Sequence, residues 1–321
     1  MSRLEDIGEQ GFLDRLPEWL KTRNPRIKVG IGDDALVIAD GTVVTSDSYV
    51  EGVHFSKVYF SPEDIGFKSA AATLSDLAGM GAEPLSLLVN LFAPPRCEID
   101  FLKRLYSGME EVCGRLGAEI AGGDTVSSDR LILSLTALGR SEKPLLRCGA
   151  RPGDLLYYSG FPGLSAVGQQ ALRKDLKGFK ESKVRHLRPQ PRIALGLALQ
   201  EKVSACMDVS DGISTDAGRL AKASKVKLIV EHERLPRHQE LLAFAEQHGG
   251  RWDSLVLNGG EDYELLFTAP AELPDRIAGL PIHCIGRIGG GKEGCVTGEG
   301  AFLEINGELK PLEPRGWDHF K

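Results

Sequence analysis

Two rhythms alternate along this chain. Short β-branched runs read as strands, and longer stretches with apolar residues three or four apart read as helices. "KVGIGDDALVIAD" and "GTVVTSDSYV" predict neighbouring strands over residues 28–38 and 42–49. A helix follows in "SPEDIGFKSAAATLSDLAGMG": Ser61 can cap it, Pro62 suits its first turn and Asp64 stands in for the capping-box acid. Gly79 and Gly81 can end it. "PLSLLVNLFA" reads as a buried strand, and "EIDFLKRLYSGMEEVCGRLG" as an amphipathic helix ending on Gly117. "AEIAGGDT" is a strand running into a glycine turn, and "RLILSLTALGR" is a further strand.

A seam interrupts the rhythm at "SEKPLLRCGARPGD", whose prolines, glycines and mixed charges place a domain boundary near residue 141. Beyond it come a strand ("DLLYYSG"), a helix beginning near Pro162, and the charged segment "RKDLKGFKESKVRHLRPQP", expected to be a solvated loop. A helix over 191–202, the segment "CMDVSDGISTDAG", a strand ("KVKLIVE") and a helix near 237–248 follow. "ELLFTAP", "IHCIGRIGG" and the hairpin "FLEINGELKPL", turning at Asn306-Gly307, close the chain. The alternation predicts an α/β or α+β protein. The 321 residues suit two domains, 1–140 and 141–321.

With 42% hydrophobic and 26% charged residues the chain has the profile of a soluble globular protein. No apolar run approaches the roughly 20 residues of a membrane span. The opening "MSRLEDIGEQGFLDRL" lacks the pattern of a signal peptide, so a cytoplasmic, non-membrane protein is expected. The six cysteines form no C-x-x-C pair. A net charge of −6 without a basic block argues against a nucleic-acid partner. An acidic protein that handles phosphates would need cations to bridge the repulsion.

Acids recur where strands end: Asp33 and Asp34 in "IGDDA", Asp47 in "TSDS", Asp124 in "GGDT", Asp208 and Asp211 in "MDVSDG". Taken singly, each is ordinary turn or helix-start chemistry. Asp76 fits that reading less well, because an acid inside "AAATLSDLAGMG" would be costly to bury unpaired. If the acids converge, an oxygen-only ligand set suits Mg²⁺ or Ca²⁺ rather than zinc. No EF-hand spacing is present, and Mg²⁺ takes one or two carboxylates with phosphate oxygens and waters. The G-x-x-x-x-G-K-[ST] loop and the H-R-D and D-F-G signatures of protein kinases are missing from the sequence. "GGGKEG" carries glutamate where that loop needs Ser or Thr, and reads as a turn.

The ordered set "GIGDDALVI", "TSDSYVEGVHF", "AAATLSDLAGMGAEP", "AGGDT", "RCGARPGDLLYYSG", "RHLRPQPRI", "MDVSDGISTDAG", "NGGEDYELLFT" and the terminal "GWDHF" resembles the thiamine-monophosphate kinase family of the aminoimidazole-ribonucleotide-synthetase-like superfamily. The resemblance implies a two-domain α/β fold whose N-terminal mixed sheet pairs in a dimer barrel and whose C-terminal half is an α/β sandwich. It implies ATP and thiamine monophosphate as substrates, several Mg²⁺ ions and a homodimer. Asp34, Thr45, Ser46, Asp47, Asp76, Asp124, Asp208 and Asp211 match metal ligands, and Gly123, Asp124, Arg147 and Ser210 match nucleotide contacts. His54, Glu261 and Trp317 match contacts to thiamine phosphate. Ser46 and Ser48 stand where the family often has threonine, and Trp317 where it also has tyrosine.

Each role has a rationale beside a plainer one. Arg147 can grip phosphate in a fork, or be a solvated arginine of the seam. His54 can donate to a phosphate, and Trp317 can stack on a cationic or flat ring; each could equally be structural. Glu261 can pair with an amino group or a cationic ring, or be a loop acid. Because the attacking oxygen of such a substrate is already anionic, the implied direct transfer needs no strong general base and no covalent nucleophile. Ribonucleotide ring closure, selenophosphate synthesis and non-catalytic nucleotide binding are the alternatives. Against the selenium chemistry, the first cysteine comes only at Cys97.

Overall fold

The computed structural model describes residues 3–20, 23–290, 299–317 and 319–320. The "GGGKEG" turn lies largely outside them. Two helices, α1 (Leu4–Leu13) and α2 (Leu16–Trp19), precede the first sheet and were not legible as elements. That sheet contains β1 (Ile27–Val29), β2 (Leu36–Ile38) and β3 (Thr42–Val50), and after α3 (Pro62–Gly79) come β4 (Glu83–Ala93), α4 (Ile99–Leu116), β5 (Glu119–Ser127) and β6 (Ile132–Arg140). Its order is β1-β2-β3-β6-β4-β5. All pairs are antiparallel except β4 with β5.

The second half begins with β7 (Leu155–Ser159), α5 (Leu164–Arg173), α6 (Lys180–Leu187), α7 (Ile193–Leu199) and β8 (Ala205–Val209). It continues with α8 (Ile213–Ser224), β9 (Lys227–Glu231), α9 (Gln239–His248), α10 (Trp252–Asn258) and β10 (Glu264–Ala269). The strands β11 (Arg276–Ile277), β12 (Leu280–Gly289), β13 (Gly300–Ile305) and β14 (Glu308–Pro311) complete it. The sheet runs β14-β13-β9-β12-β7-β10-β8, with β11 beside β12. The Asn306-Gly307 hairpin joins β13 to β14 as the sequence predicts.

Helix α3 joins the two halves. The Ser61 hydroxyl accepts the Asp64 N–H at 3.1 Å, and Pro62 opens the first turn. Every residue from Ile65 to Gly79 is buried except the half-buried Asp76, because the helix packs on β3, β6 and α4 on one side and on β8 and α7 on the other. The small residues of "SAAATLSDLAG" therefore allow close approach from several directions. Fully buried Phe67, Leu74 and Leu77 each contribute about 1.5–3 kcal/mol of transfer free energy.

Three local expectations are revised. Residues 28–38 form two antiparallel strands, β1 and β2, with the Asp33-Asp34 pair in the reversal between them. The Gly122-Gly123 pair lies inside β5, not in a turn, at an irregularity in its pairing with β4. The charged segment is no solvated loop: α6 forms there, and Ser182 and His186 are buried. Two of its arginines are paired rather than hydrated: Arg188 Nε donates to Asp64 Oδ1 at 2.6 Å, and Arg185 Nη1 donates to Glu264 Oε1 at 3.4 Å. Just past the segment, Arg192 Nε donates to Glu264 Oε2 at 2.7 Å.

Candidate phosphoryl-transfer site

The reversal after β1, one face of β3, the C-terminal half of α3 and the end of β8 meet between the two sheets. The period-2 alternation of β3 turns Thr45, Asp47 and Tyr49 to the face that α3 covers. There the Thr45 hydroxyl donates to Asp76 Oδ2. Tyr49 Oη donates to Asp47 Oδ2 at 3.1 Å and lies 2.9 Å from the Thr73 hydroxyl. One helical position before Asp76, the Ser75 hydroxyl donates to Asp208 Oδ2 at 2.7 Å. Asp34 reaches the same place from the other side. A Cβ on Gly79 would lie 2.5 Å from Asp34 Oδ2 and 2.9 Å from the Asp208 N–H nitrogen, so only glycine lets α3 end here.

These four carboxyl groups feel one another. Burial, then Asp47, Asp208 and Asp34, push Asp76 well above the ordinary carboxylate range. Burial and then Asp34 do the same to Asp208. Burial raises Asp34 and Asp47 as well. Arg147 opposes the rise at Asp34, donating from Nε to Oδ1 at 2.6 Å, while its own N–H bonds Asp33 at 3.2 Å. Burial and the neighbouring Asp34 charge push Asp33 up to about 6. Among the described residues the Arg147 Nη1 group has no partner, which leaves a donor for a phosphate oxygen.

The donor set fits a hard cation. Among the described residues Asp34 Oδ2 is buried with no hydrogen-bond donor in good geometry, an arrangement that is costly without a positive partner. Among the described residues no three His, Cys, Asp or Glu side chains close on a single point. Mg²⁺ does not require that, since one or two carboxylates can serve when phosphate oxygens and waters supply the rest.

The loop after β8 carries the next acids. Asp211 Oδ2 lies 2.6 Å from Arg219 Nη1, which also lies 2.8 Å from Asp216 Oδ1. Asp216 is fully buried at the start of α8 and accepts the Asp211 N–H at 3.0 Å, so it closes the turn. The Ser210 carbonyl accepts the Glu261 N–H at 2.6 Å, tying this loop to the "GGEDYEL" segment.

Two candidates stand apart from the cluster. The Ser46 hydroxyl lies on the opposite face of β3, 3.1 Å from both Leu135 O and Thr136 Oγ1, so it does not join Asp76. Asp124 lies on the exposed edge strand, where its Oδ1 accepts the Thr125 N–H at 2.7 Å. Asp47 is level with Leu135, Leu135 with Val89, and Val89 with Gly123. That puts β5 three strand spacings from β3, about 14 Å at 4.8 Å each.

The three acceptor-side candidates line the same junction. His54 Nδ1 accepts the Val50 N–H at 3.0 Å, and its ring meets His319 with centroids 5.0 Å apart. Burial, with the neighbouring His319 and Lys68 charges, lowers His54 to about 4, so its imidazole is neutral near pH 7. Trp317 is 55% exposed and its indole N–H donates to His319 Nδ1 at 3.1 Å. Glu261 has a left-handed backbone (φ 63°), and its Oε1 lies 2.9 Å from Lys68 Nζ.

Sequence reasoning missed Lys68 and His186. The Lys68 side chain is 4% exposed, with Nζ 5.4 Å from the centre of the Phe60 ring and 3.5 Å from His186 Nδ1. The signal was present: a lone cation in "GFKSAAATLSDLAG" is as anomalous as Asp76. The other acids of "GGEDYEL" are structural. Asp262 accepts the Gly163 and Ser165 N–H groups at 2.5 and 3.0 Å, and Glu264 is clamped by Arg192 and Ser159.

An interdomain cluster of strand-end carboxylates on a pair of mixed sheets defines the class, and two family models match it: AIR synthase related protein, N-terminal domain, over residues 32–141, and AIR synthase related protein, C-terminal domain, over residues 151–292. The thiamine-monophosphate kinase of Aquifex aeolicus is 34% identical over 99% of this chain and 100% of its own. That of Bacillus subtilis is 36% identical over 92% and 94%. The solved structure of AaThiL complexed with AMPPCP and TMP superposes with a TM-score of 0.88 at 33% identity, covering 99% of both chains. The chain belongs to the thiamine-monophosphate kinase family.

Proposed function

We propose that this chain transfers the γ-phosphoryl group of ATP to thiamine monophosphate, giving ADP and thiamine diphosphate. The observation that carries the reading is the junction cluster of Asp34, Asp47, Asp76 and Asp208 with Arg147, in a chain 34% identical along its length to a thiamine-monophosphate kinase. An oxygen of the acceptor phosphate attacks the γ-phosphorus as the bond to the bridging oxygen of ADP breaks. The attacking group is already an anion, so no side chain need remove a proton and no phospho-enzyme forms.

The cluster, with Asp211, supplies the carboxylates for Mg²⁺. When bound, Mg²⁺ would neutralise the two anionic substrates as they approach. Gly123, Asp124, Arg147 and Ser210 take the nucleotide side, with Arg147 Nη1 directed to a phosphate oxygen. His54, Glu261 and Trp317 take the acceptor side, where Glu261 offers its carboxylate to the cationic ring system. Domains of 1–140 and 141–321, a homodimer formed through the first sheet and a cytoplasmic setting complete the proposal. Exposed Leu85 and Val126, on β4 and β5, are available to a second copy.

Incubation with ATP, Mg²⁺ and thiamine monophosphate tests it, with thiamine diphosphate and ADP expected in equal amounts. Asp211→Asn should lower turnover by about a hundredfold or more, roughly 3 kcal/mol of barrier. A folded wild-type protein that forms no thiamine diphosphate would refute the reading.

A further inference from the structure

The contact between His54 and His319 brings together two parts of the chain that are far apart in sequence. His54 sits in the loop after β3, and His319 sits in the C-terminal segment after β14. That segment is docked rather than loose: the Arg315 N–H bonds Ser214 Oγ and the Gly316 N–H bonds Thr215 Oγ1, both at 3.3 Å, at the start of α8. It therefore passes from the Asp211 loop to the His54 loop.

The hydrogen bonds fix the same tautomer in both rings. His54 Nδ1 accepts a backbone N–H, and His319 Nδ1 accepts the Trp317 indole N–H. Neither donor can act as an acceptor, so each imidazole carries its hydrogen on Nε2 when neutral. Among the described residues neither Nε2 has a partner. The result is a pair of N–H donors on rings 5.0 Å apart, and the Lys68 ammonium is within electrostatic reach of His54. Two such donors on adjoining rings suit an anion with several acceptor oxygens.

We infer that His319 is a second hydrogen-bond donor to the phosphate of the acceptor substrate, paired with His54, and that the two histidines make the site discriminate a phosphorylated acceptor from its unphosphorylated form. The inference rests on the function proposed above. It gives the C-terminal segment a recognition role: the Trp317 indole sets the tautomer of His319, and the docking on α8 sets its position.

Calorimetric titration of the full-length protein with thiamine monophosphate and with thiamine tests it. His319→Ala is expected to weaken thiamine monophosphate about ten- to a hundredfold, the worth of a hydrogen bond to a charged group. Thiamine affinity should stay within about twofold, because the lost partner is the phosphate. His54→Ala should give the same pattern, and His319→Gln, which keeps a side-chain N–H, should recover part of the loss. His319 is exposed, so the variant is not expected to unfold, and circular dichroism verifies this. Equal weakening of thiamine and thiamine monophosphate would make the segment a simple wall and overturn the inference. So would unchanged thiamine monophosphate affinity. Wild-type protein that binds neither ligand would instead overturn the proposed function itself.

Discussion

Arg147 holds Asp34 across the junction of the two halves: the guanidinium Nε donates at 2.6 Å to a side chain with no exposed surface, and among the described residues the second carboxylate oxygen has no hydrogen-bond donor in good geometry. Asp34 thus has one oxygen neutralised by the protein and one without a donor. Arg147→Met would strand a buried charge, a change that costs about 3–5 kcal/mol. Urea denaturation in chelator should show the loss, and millimolar Mg²⁺ should restore part of it, because a cation at Oδ2 replaces the missing charge. If Mg²⁺ leaves the deficit unchanged, Asp34 has no metal role.

Lys68 fixes the carboxylate of Glu261 from a nearly closed position. Lys68→Met is expected to raise KM for thiamine monophosphate about tenfold, with KM for ATP within about twofold, since the lost contact orients only the acceptor side. Lys68→Arg should recover most of the affinity. Equal changes in both KM values would show a general loss of structure.

Gly123 has no room for a side chain. A Cβ there would lie 1.9 Å from the Val89 carbonyl oxygen, and the residue's φ of 145° is one that other residues rarely adopt. Gly123→Ala should destabilise the protein by about 1–3 kcal/mol and loosen the β5 edge. Hydrogen exchange of β5 amides would record it, and unchanged protection would contradict the close packing.

Asp262 supplies a dependence of stability on pH. Burial pushes it up to about 7, whereas an unfolded aspartate titrates near about 3.9. Below about pH 4 both states are protonated and the stabilising difference is fully present. As pH rises toward 7 the unfolded chain releases a proton that the folded one keeps, so this stability is progressively lost. Asp262→Asn removes that slope. Its stability deficit relative to wild type should shrink between about pH 5 and about pH 8, as read from denaturation midpoints. A deficit that grows with pH would reverse the assignment.

Local chemistry was legible in the sequence where one element carried it. The cap at Ser61, the hairpin at Asn306-Gly307 and the strands at "PLSLLVNLFA" and "RLILSLTALGR" all follow from short-range pattern. What was lost depended on partners distant in the chain. Arg185 and Arg188 look like solvent-facing charges until Glu264 and Asp64 meet them, so the pattern of the α6 segment reads as loop. The same limit hid Lys68, whose partner Glu261 is remote in sequence, and it placed Asp124 beside acids that the sheet keeps about 14 Å away at ordinary strand spacing. Alternation along β3 turns the Thr45 and Ser46 side chains to opposite faces, so only Thr45 brings its hydroxyl to Asp76.

On the function proposed above, the carboxylates at the junction hold the cations that bring ATP and thiamine monophosphate together. Crystals grown with Mn²⁺, a non-hydrolysable ATP analogue and thiamine monophosphate test it most directly through the anomalous signal of manganese. Peaks are expected at the carboxylates of Asp34, Asp76 and Asp208, with the acceptor phosphate beside His54. Bound nucleotide and acceptor with no anomalous density at those carboxylates would contradict it.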